Sequence, residues 1–271
     1  LFCYNSTTRK VQSFKYAAGN YTSISEDAQG NIWVVLNSGK LLKVGGKDLK
    51  LLAENTRLKD YFKKICDYRV YIDKSGDIWG YSFNDPIGLL RIKQNTGETI
   101  FYHSNTRYPL NNNLVKGIVE DRYGDIWIGT DHGGINVVDA QQPSHITYIT
   151  SRENDKKSLS YNSIETLYKD NQGIIWIGAG KKGVNFLDQQ ITQFELYCHE
   201  PDNKASLPDN DINCFAEDAK GNVWIGTNGG GLIYFDRKNQ QFTQYLNNPN
   251  DPHSLSNNVI VSLCVDHSGK L

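Results

Sequence analysis

An all-β fold of repeated four-stranded antiparallel blades, a β-propeller, is predicted by three features of this 271-residue sequence. One short phrase recurs at near-constant spacing, runs of strand length alternate with turn signals, and no helical period of comparable length interrupts them. The phrase is Asp27-Ala-Gln-Gly-Asn-Ile-Trp33, Asp73-Lys-Ser-Gly-Asp-Ile-Trp79, Asp121-Arg-Tyr-Gly-Asp-Ile-Trp127, Asp170-Asn-Gln-Gly-Ile-Ile-Trp176 and Asp218-Ala-Lys-Gly-Asn-Val-Trp224, and it contains all five tryptophans. A sixth copy begins at Asp266 and stops before its tryptophan position. Successive aspartates are 46, 48, 49, 48 and 48 residues apart, a spacing in the range of propeller blades.

Aligned on the aspartate, each stretch of the repeat acquires a role. Three residues before it the side chain is always apolar (Ile24, Val70, Ile118, Leu167, Phe215, Leu263), and the residue before that is usually small (Ser23, Gly117, Thr166, Cys214, Ser262). That pattern suits the crowded innermost strand of a blade. The Asp-x-x-Gly step has the residues a type I turn prefers, so it reads as a hairpin turn. A second strand follows, such as Ile126-Trp-Ile-Gly-Thr130, whose tryptophan offers a large stiff surface for packing blade on blade. A glycine-rich turn, Asp131-His-Gly-Gly134, leads to a third strand ending at Asp139, and the same element recurs as Gly183 to Asp188 and Gly231 to Asp236. The fourth strand carries the aromatics Tyr148, Phe194, Tyr197, Phe242 and Tyr245.

The first residues fit the same frame, because Leu1 to Asn5 match Leu232 to Asp236, and Val11 and Phe14 fall where Phe242 and Tyr245 do. The expected organisation is one propeller domain over 1–271. Residues 1–17 form the last two strands of a blade, 18–64, 65–112, 113–161, 162–209 and 210–257 are full blades, and 258–271 open the next. The sequence is expected to be part of a larger, seven-bladed propeller.

A formal charge of −1, with acidic and basic residues mixed along the chain, argues against an electrostatic grip on nucleic acid or anionic lipid. No apolar run approaches the roughly 18 residues of a membrane span, and no basic-then-apolar signal segment opens the sequence. Any membrane attachment is expected through a segment outside it. The five cysteines are odd in number and show no Cys-x-x-Cys spacing, so neither a zinc site nor a disulfide framework is indicated; small buried thiols on strands are expected. No metal or cofactor is expected, since Asp-x-x-Gly lacks the alternating oxygen ligands of a calcium loop.

The best copies, Asp121 to Ile135 and Asp218 to Leu232, resemble the two-component regulator propeller repeat, Asp-x-x-Gly-x-Ile-Trp-Ile-Gly-Thr-x-x-Gly-Gly-Leu. The connecting loops Asn154 to Asn162, Asp202 to Asn210 and Asn250 to Asn258 are similar to that family's Asn-Asp-x-x-Ser-Leu-x-x-Asn. In that family such repeats form the periplasmic sensor region of hybrid two-component histidine kinases in carbohydrate-degrading bacteria, where two seven-bladed propellers and a small immunoglobulin-like domain precede the membrane helix and kinase. The resemblance implies a sensor for an oligosaccharide, controlling polysaccharide-utilisation genes and signalling as a homodimer. The sequence given contains no kinase and is expected not to be an enzyme.

Ligand recognition is expected where the consensus decays, around Trp79 and Asp67, and on the face formed by the loops entering the inner strands and the turns joining second and third strands. Candidates there are Arg107, Tyr108, His132, Arg152, Tyr161, Lys181, Lys182 and Asn228, with Arg69, Lys116 and Glu165 lining the channel. Arginine and lysine suit a carboxylate or sulfate, tyrosine and asparagine suit hydroxyls and ring faces. The repeated Asp and Trp are structural. Two other readings stand beside this one: a lyase resembling streptogramin lyases, using His103, His132, His199 or His253 with a metal, and a protein-interaction propeller.

Overall fold

The recurring aspartate closes a tight turn in every repeat. In the repeats of Asp27, Asp73, Asp170, Asp218 and Asp266 the glycine three residues later donates its N–H to the aspartate carbonyl, at 2.9 Å for Gly30 and 3.0 Å for Gly173 and Gly221, while Asp121 closes its turn through its side chain on the Tyr123 and Asp125 N–H groups. The turn glycines, Gly124 included, adopt φ from +76° to +91°, a region open to glycine at little steric cost. One carboxylate oxygen accepts the N–H groups two and four residues on, as Asp27 Oδ1 does from Gln29 and Asn31 at 3.0 and 2.8 Å. The other accepts the indole N–H of the tryptophan six residues on: Trp33 at 3.0 Å, Trp79 at 2.8 Å, Trp127 at 3.2 Å and Trp176 at 2.7 Å. In the fifth repeat Asp218 Oδ2 instead accepts the Tyr234 hydroxyl at 2.9 Å, and Trp224 lies against the Tyr234 ring.

A computed structural model describes residues 1–5, 9–153, 155, 158–188, 194–266 and 268–271. Two compact units divide the chain, Leu1–Tyr108 and Pro109–Leu271. The first contains β1 (Phe2–Asn5) and β2 (Lys10–Ser13), paired with each other, then β3 (Tyr21–Glu26), β4 (Ile32–Leu36), β5 (Leu41–Val44) and β6 (Leu51–Asn55) as one sheet. A short helix, α1 (Arg57–Phe62), leads to a second sheet of β7 (Tyr68–Ile72), β8 (Ile78–Ser82), β9 (Leu89–Ile92) and β10 (Thr99–Tyr102). The second unit holds three sheets: β11 (Val115–Glu120), β12 (Ile126–Thr130), β13 (Gly134–Val138) and β14 (Ile146–Ile149); β15 (Ile164–Lys169), β16 (Ile175–Ala179), β17 (Gly183–Leu187) and β18 (Phe194–Tyr197); and β19 (Ile212–Glu217), β20 (Val223–Thr227), β21 (Leu232–Asp236) and β22 (Gln241–Tyr245). Every four-stranded sheet is an antiparallel meander in chain order, which is the expected propeller blade.

Within each unit, first strands face first strands: β3 meets β7, and β15 lies between β11 and β19. Small residues permit that approach; a side chain on Gly117 would meet the Leu167 backbone nitrogen at 3.1 Å. The tryptophans fill the spaces between sheets. Trp33 packs with Leu58, Tyr68, Val70 and Leu90, Trp127 with Leu159, Ile164 and Leu167, and Trp176 with Leu207, Ile212 and Phe215. Leu159 and Leu207 come from the Ser-Leu loops, and Leu58 of α1 fills the corresponding space in the first unit. Cation and aromatic contacts add to this. Opposite each tryptophan on the third strand stands Lys43, Arg91, Val137, Phe186 or Tyr234, and Lys43 and Arg91 lie over their indoles at 5.1 and 4.8 Å. Arg237 reaches from the β21 end of one sheet to Asp170 and Glu217, over the Trp176 ring.

Four observations depart from the sequence reading. Helix α1 stands in a stretch without a helical period; it is short, and the burial of Leu58 against Gly80 holds it, since a side chain on Gly80 would overlap the leucine. Among the described residues of 258–271 the strand pairing is limited to the bridge Asn228↔Val259, with Ile260 N–H donating to the Thr227 carbonyl at 2.8 Å, and Asp266 makes its turn, Gly269 N–H donating to its carbonyl at 2.9 Å. Cysteines 3, 66, 198 and 214 are half-buried and Cys264 exposed, all as free thiols, so none is the fully enclosed thiol expected. Trp224 is half-buried, unlike the other four tryptophans, because no following sheet covers it among the described residues. Asn154 and the side chain of Phe194 lie outside the described residues.

Trp79→Phe keeps an aromatic ring but leaves the buried Asp73 Oδ2 without its indole donor, and Trp176→Phe removes the indole donor from Asp170 Oδ2 while Arg237 remains on it, so the two are expected to cost about 1.5–3 kcal/mol, Trp79→Phe the more. Trp224→Phe, whose indole makes no such bond, is expected to cost less. Urea unfolding followed by circular dichroism measures the difference, and equal losses at all three positions would contradict the role given to the indole N–H.

Candidate functional site

The loops that enter the inner strands are held by their own polar residues. A serine hydroxyl accepts the N–H six residues earlier, Arg152 to Ser158, Glu200 to Ser206 and Asn248 to Ser254, each at 2.9 Å. The asparagine closing the motif accepts the N–H eleven residues earlier, at 2.6 Å from Ser151 to Asn162, 2.7 Å from His199 to Asn210 and 2.6 Å from Asn247 to Asn258. The same asparagines accept at their carbonyls from Gly134, Gly183 and Gly231, the turns between second and third strands of the preceding sheet. Loops and turns therefore lie side by side in the second unit. Their motif asparagines and serines are engaged in framework bonds.

A recurring irregularity redirects one side chain in each of four inner strands. The first strand of four sheets shifts register against the second, between Tyr21/Ser23, Val115/Gly117, Ile164/Thr166 and Ile212/Cys214. The skipped residue of each β-bulge is Thr22, Lys116, Glu165 or Asn213, and a bulge redirects the side chain it frees. Thr22 and Asn213 bond across to the next inner segment, at the carbonyls of Tyr68 (2.7 Å) and Ile260 (3.0 Å). Lys116 and Glu165 place opposite charges at the same position of adjacent sheets.

Around Glu165 the second unit gathers a polar cluster. Burial pushes the Glu165 carboxyl above the ordinary range; Lys116 opposes this, Asp131 and Asp211 reinforce it, and His132 opposes it. Its carboxylate lies over Gly180, where an added Cβ would come within 3.3 Å of Oε1. Asp131 accepts from the buried Ser163 hydroxyl and lies 2.6 Å from His132 Nδ1. Asp211 accepts the Asn228 side-chain amide at 3.2 Å. Lys116, His132, Glu165 and Asn228 thus belong to one cluster, in which carboxylates and an amide can accept from and donate to vicinal hydroxyls while Lys116 supplies a cation.

The remaining candidates sit apart from that cluster or beside it. Lys181 and Lys182 are exposed on the turn that follows Gly180, and Arg152 and Tyr161 are exposed on the β14–β15 loop. Arg107 is exposed in the first unit, 5.9 Å from the ring of Tyr108, which packs on Tyr102. Arg69 is half-buried on β7, stacked on Phe83. His103 stacks on Phe101, and His199 Nδ1 lies 3.1 Å from the Leu207 carbonyl; among the described residues no three His, Cys, Asp or Glu side chains are grouped to hold a metal. Grooves of about 440 Å³ at α1 and about 410 Å³ beside Trp224 and Tyr245 are lined by other residues. Sequence reading missed Asp131, Ser163, Asp211 and Asn213. The signal for Asn213 was available: it stands five residues before its repeat aspartate, as Lys116 and Glu165 do.

Three segments, 109–132, 158–181 and 206–229, match the family described as two component regulator propeller. No curated protein matches the chain. Among solved structures it is similar to the extracellular domain of the putative hybrid two component system BT3049 from B. thetaiotaomicron, with TM-score 0.69 and 23% identity over 96% of this chain and 33% of that one. The corresponding domain of BT4673 from the same organism gives TM-score 0.59 and 16% identity over 94% of this chain and 37% of that one. Virginiamycin B lyase from Staphylococcus aureus gives TM-score 0.60 and 13% identity over 88% and 74%. At these identities the likeness is one of fold, and the chain spans about a third of the length of the first two structures.

Because the Glu165 pKa is raised in the fold, its contribution to stability is present below the unfolded value of about 4.3 and lost as pH rises through the folded value. Glu165→Gln is therefore expected to raise the melting temperature at pH 7, with the gain shrinking by pH 4. A variant less stable than the parent at pH 7 would show instead that the ionised carboxylate is held by its neighbours.

Proposed function

We propose that this chain, three segments of which match the two component regulator propeller family, is part of the extracytoplasmic sensor region of a hybrid two-component system and binds an oligosaccharide. The observation that carries the reading is the convergence of Lys116, Glu165, His132 and Asn228 with Asp131 and Asp211 where bulged inner strands meet the entry loops. Framework side chains hold that rim rigid, so little conformational entropy is lost when a ligand orders against it. Carboxylates and amides in a half-buried rim suit the paired hydroxyls of a sugar better than they suit an apolar partner surface.

Similarity to extracellular domains of hybrid two component systems supports placement outside the cytoplasm. No helix among the described residues is long and apolar enough to cross a membrane, so signalling across one runs through another part of the intact receptor. That receptor is proposed to be a periplasm-facing homodimeric histidine kinase of the inner membrane that controls polysaccharide-utilisation genes. This chain has no catalytic role in the reading.

Thermal unfolding in the presence of oligosaccharides from plant, microbial and host polysaccharides is expected to show a saturable rise in melting temperature for one class. Lys116→Ala and Asn228→Ala are expected to reduce that rise. A panel with no response would contradict the assignment.

A further inference from the structure

Arg69 is placed unlike the other buried cations of its unit. Lys43 and Arg91 stand on carboxylates, Asp27 and Asp77, at 3.0 and 2.9 Å. Arg69 has no hydrogen bond or ion pair among the described residues. Its guanidinium carbon lies 3.7 Å from the centre of the Phe83 ring, and its Nε is enclosed without a partner. It stands on β7, whose pairing with β8 runs Tyr68↔Ser82, Arg69↔Tyr81, Val70↔Gly80 without the shift seen in the other inner strands. At the register position where the other repeats carry Ser23, Gly117, Thr166 or Cys214, paired two residues past the tryptophan, this strand carries an arginine.

A half-buried guanidinium without an acceptor is costly to keep there. Stacking on Phe83 holds its plane flat and removes much of the rotamer freedom that binding would otherwise have to freeze. With Nε enclosed, the two Nη groups form the edge open to a ligand. That edge has the spacing to donate two parallel hydrogen bonds to two oxygens of one group, which a carboxylate or sulfate supplies and a single hydroxyl does not.

We infer that Arg69, held on Phe83, is a subsite for the carboxylate or sulfate of an acidic saccharide. The inference rests on the oligosaccharide-sensor reading and narrows it to ligands that carry an oxyanion. Arg69 is half-buried in a sheet rather than on a loop, so the subsite is formed before the ligand arrives.

Calorimetric titration of the chain with a uronate oligosaccharide, a sulfated oligosaccharide, a neutral oligosaccharide of equal length, and free acetate and sulfate tests it. One charged saccharide is expected to bind, more weakly at higher salt, and the neutral one and the free ions at least about tenfold more weakly. Arg69→Ala is expected to weaken binding about tenfold or more, and Arg69→Lys, which keeps the charge but loses the fork, to weaken it as well. Melting temperatures monitor folding, and if Arg69→Ala does not fold, Arg69→Lys and Phe83→Leu carry the test. Binding of the neutral saccharide unaffected by these variants would overturn the subsite and leave the sensor reading standing. A charged saccharide bound equally well by the variants, or free ions bound as tightly as the saccharide, would also overturn it. If no saccharide of any kind binds, both readings fall.

Discussion

The structure depends on one carboxylate doing two jobs in each repeat. One oxygen of the aspartate closes the hairpin turn on backbone N–H groups, and in four repeats the other takes the indole N–H of the tryptophan on the second strand. The hydrogen bond fixes the polar end of the ring, so its apolar body faces the neighbouring sheet. Burial alone would raise the Asp27 carboxyl, yet the Asn31 N–H, the Lys43 ammonium and the Trp33 indole together hold it well below the usual carboxylate range. At Asp73 burial prevails and the carboxyl is raised despite the Trp79 bond. The same motif thus serves in different electrostatic settings, and its geometry persists because turn, register and packing are tied to one side chain.

Much of this architecture was legible in the sequence. The Asp-x-x-Gly-x-x-Trp period announced the hairpin and the blade, and the small residue before the inner apolar position announced close approach of inner strands, which Gly117 against Leu167 displays. The Asp to Trp bond itself was not legible, because a spacing of six does not say that two side chains meet. Helix α1 escaped for a related reason: one buried leucine, supported by the missing side chain of Gly80, does not make a period. In the candidate site, Lys116, His132, Glu165 and Asn228 were named from the loops they occupy. Their acidic neighbours Asp131 and Asp211 looked like ordinary turn residues until the fold brought them to Glu165.

In the proposed reading, framework and recognition are carried by different residues. Motif asparagines and serines, polar though they are, are consumed by the loops they brace, so in this reading ligand chemistry belongs to positions outside the repeat motif. Bulges deliver those positions in the second unit, where Lys116 and Glu165 occupy equivalent sites with opposite charge. In the first unit β3 is bulged and β7 is not, and on β7 the small-residue position is occupied by Arg69. A repeat fold can diversify in this way at low risk, because neither change touches the aspartate, glycine or tryptophan that hold the blade.

The central claim is that ligand contact falls on the bulged rim and its adjoining turns, and not on the Asp-x-x-Gly turns at the other end of the same strands. Hydrogen exchange with and without a bound oligosaccharide measures this directly. The account predicts slowed exchange in segments around Lys116, His132, Glu165 and Asp211, with the turns at Asp121, Asp170 and Asp218 unchanged. Protection concentrated at those turns, with the rim unaffected, would contradict it.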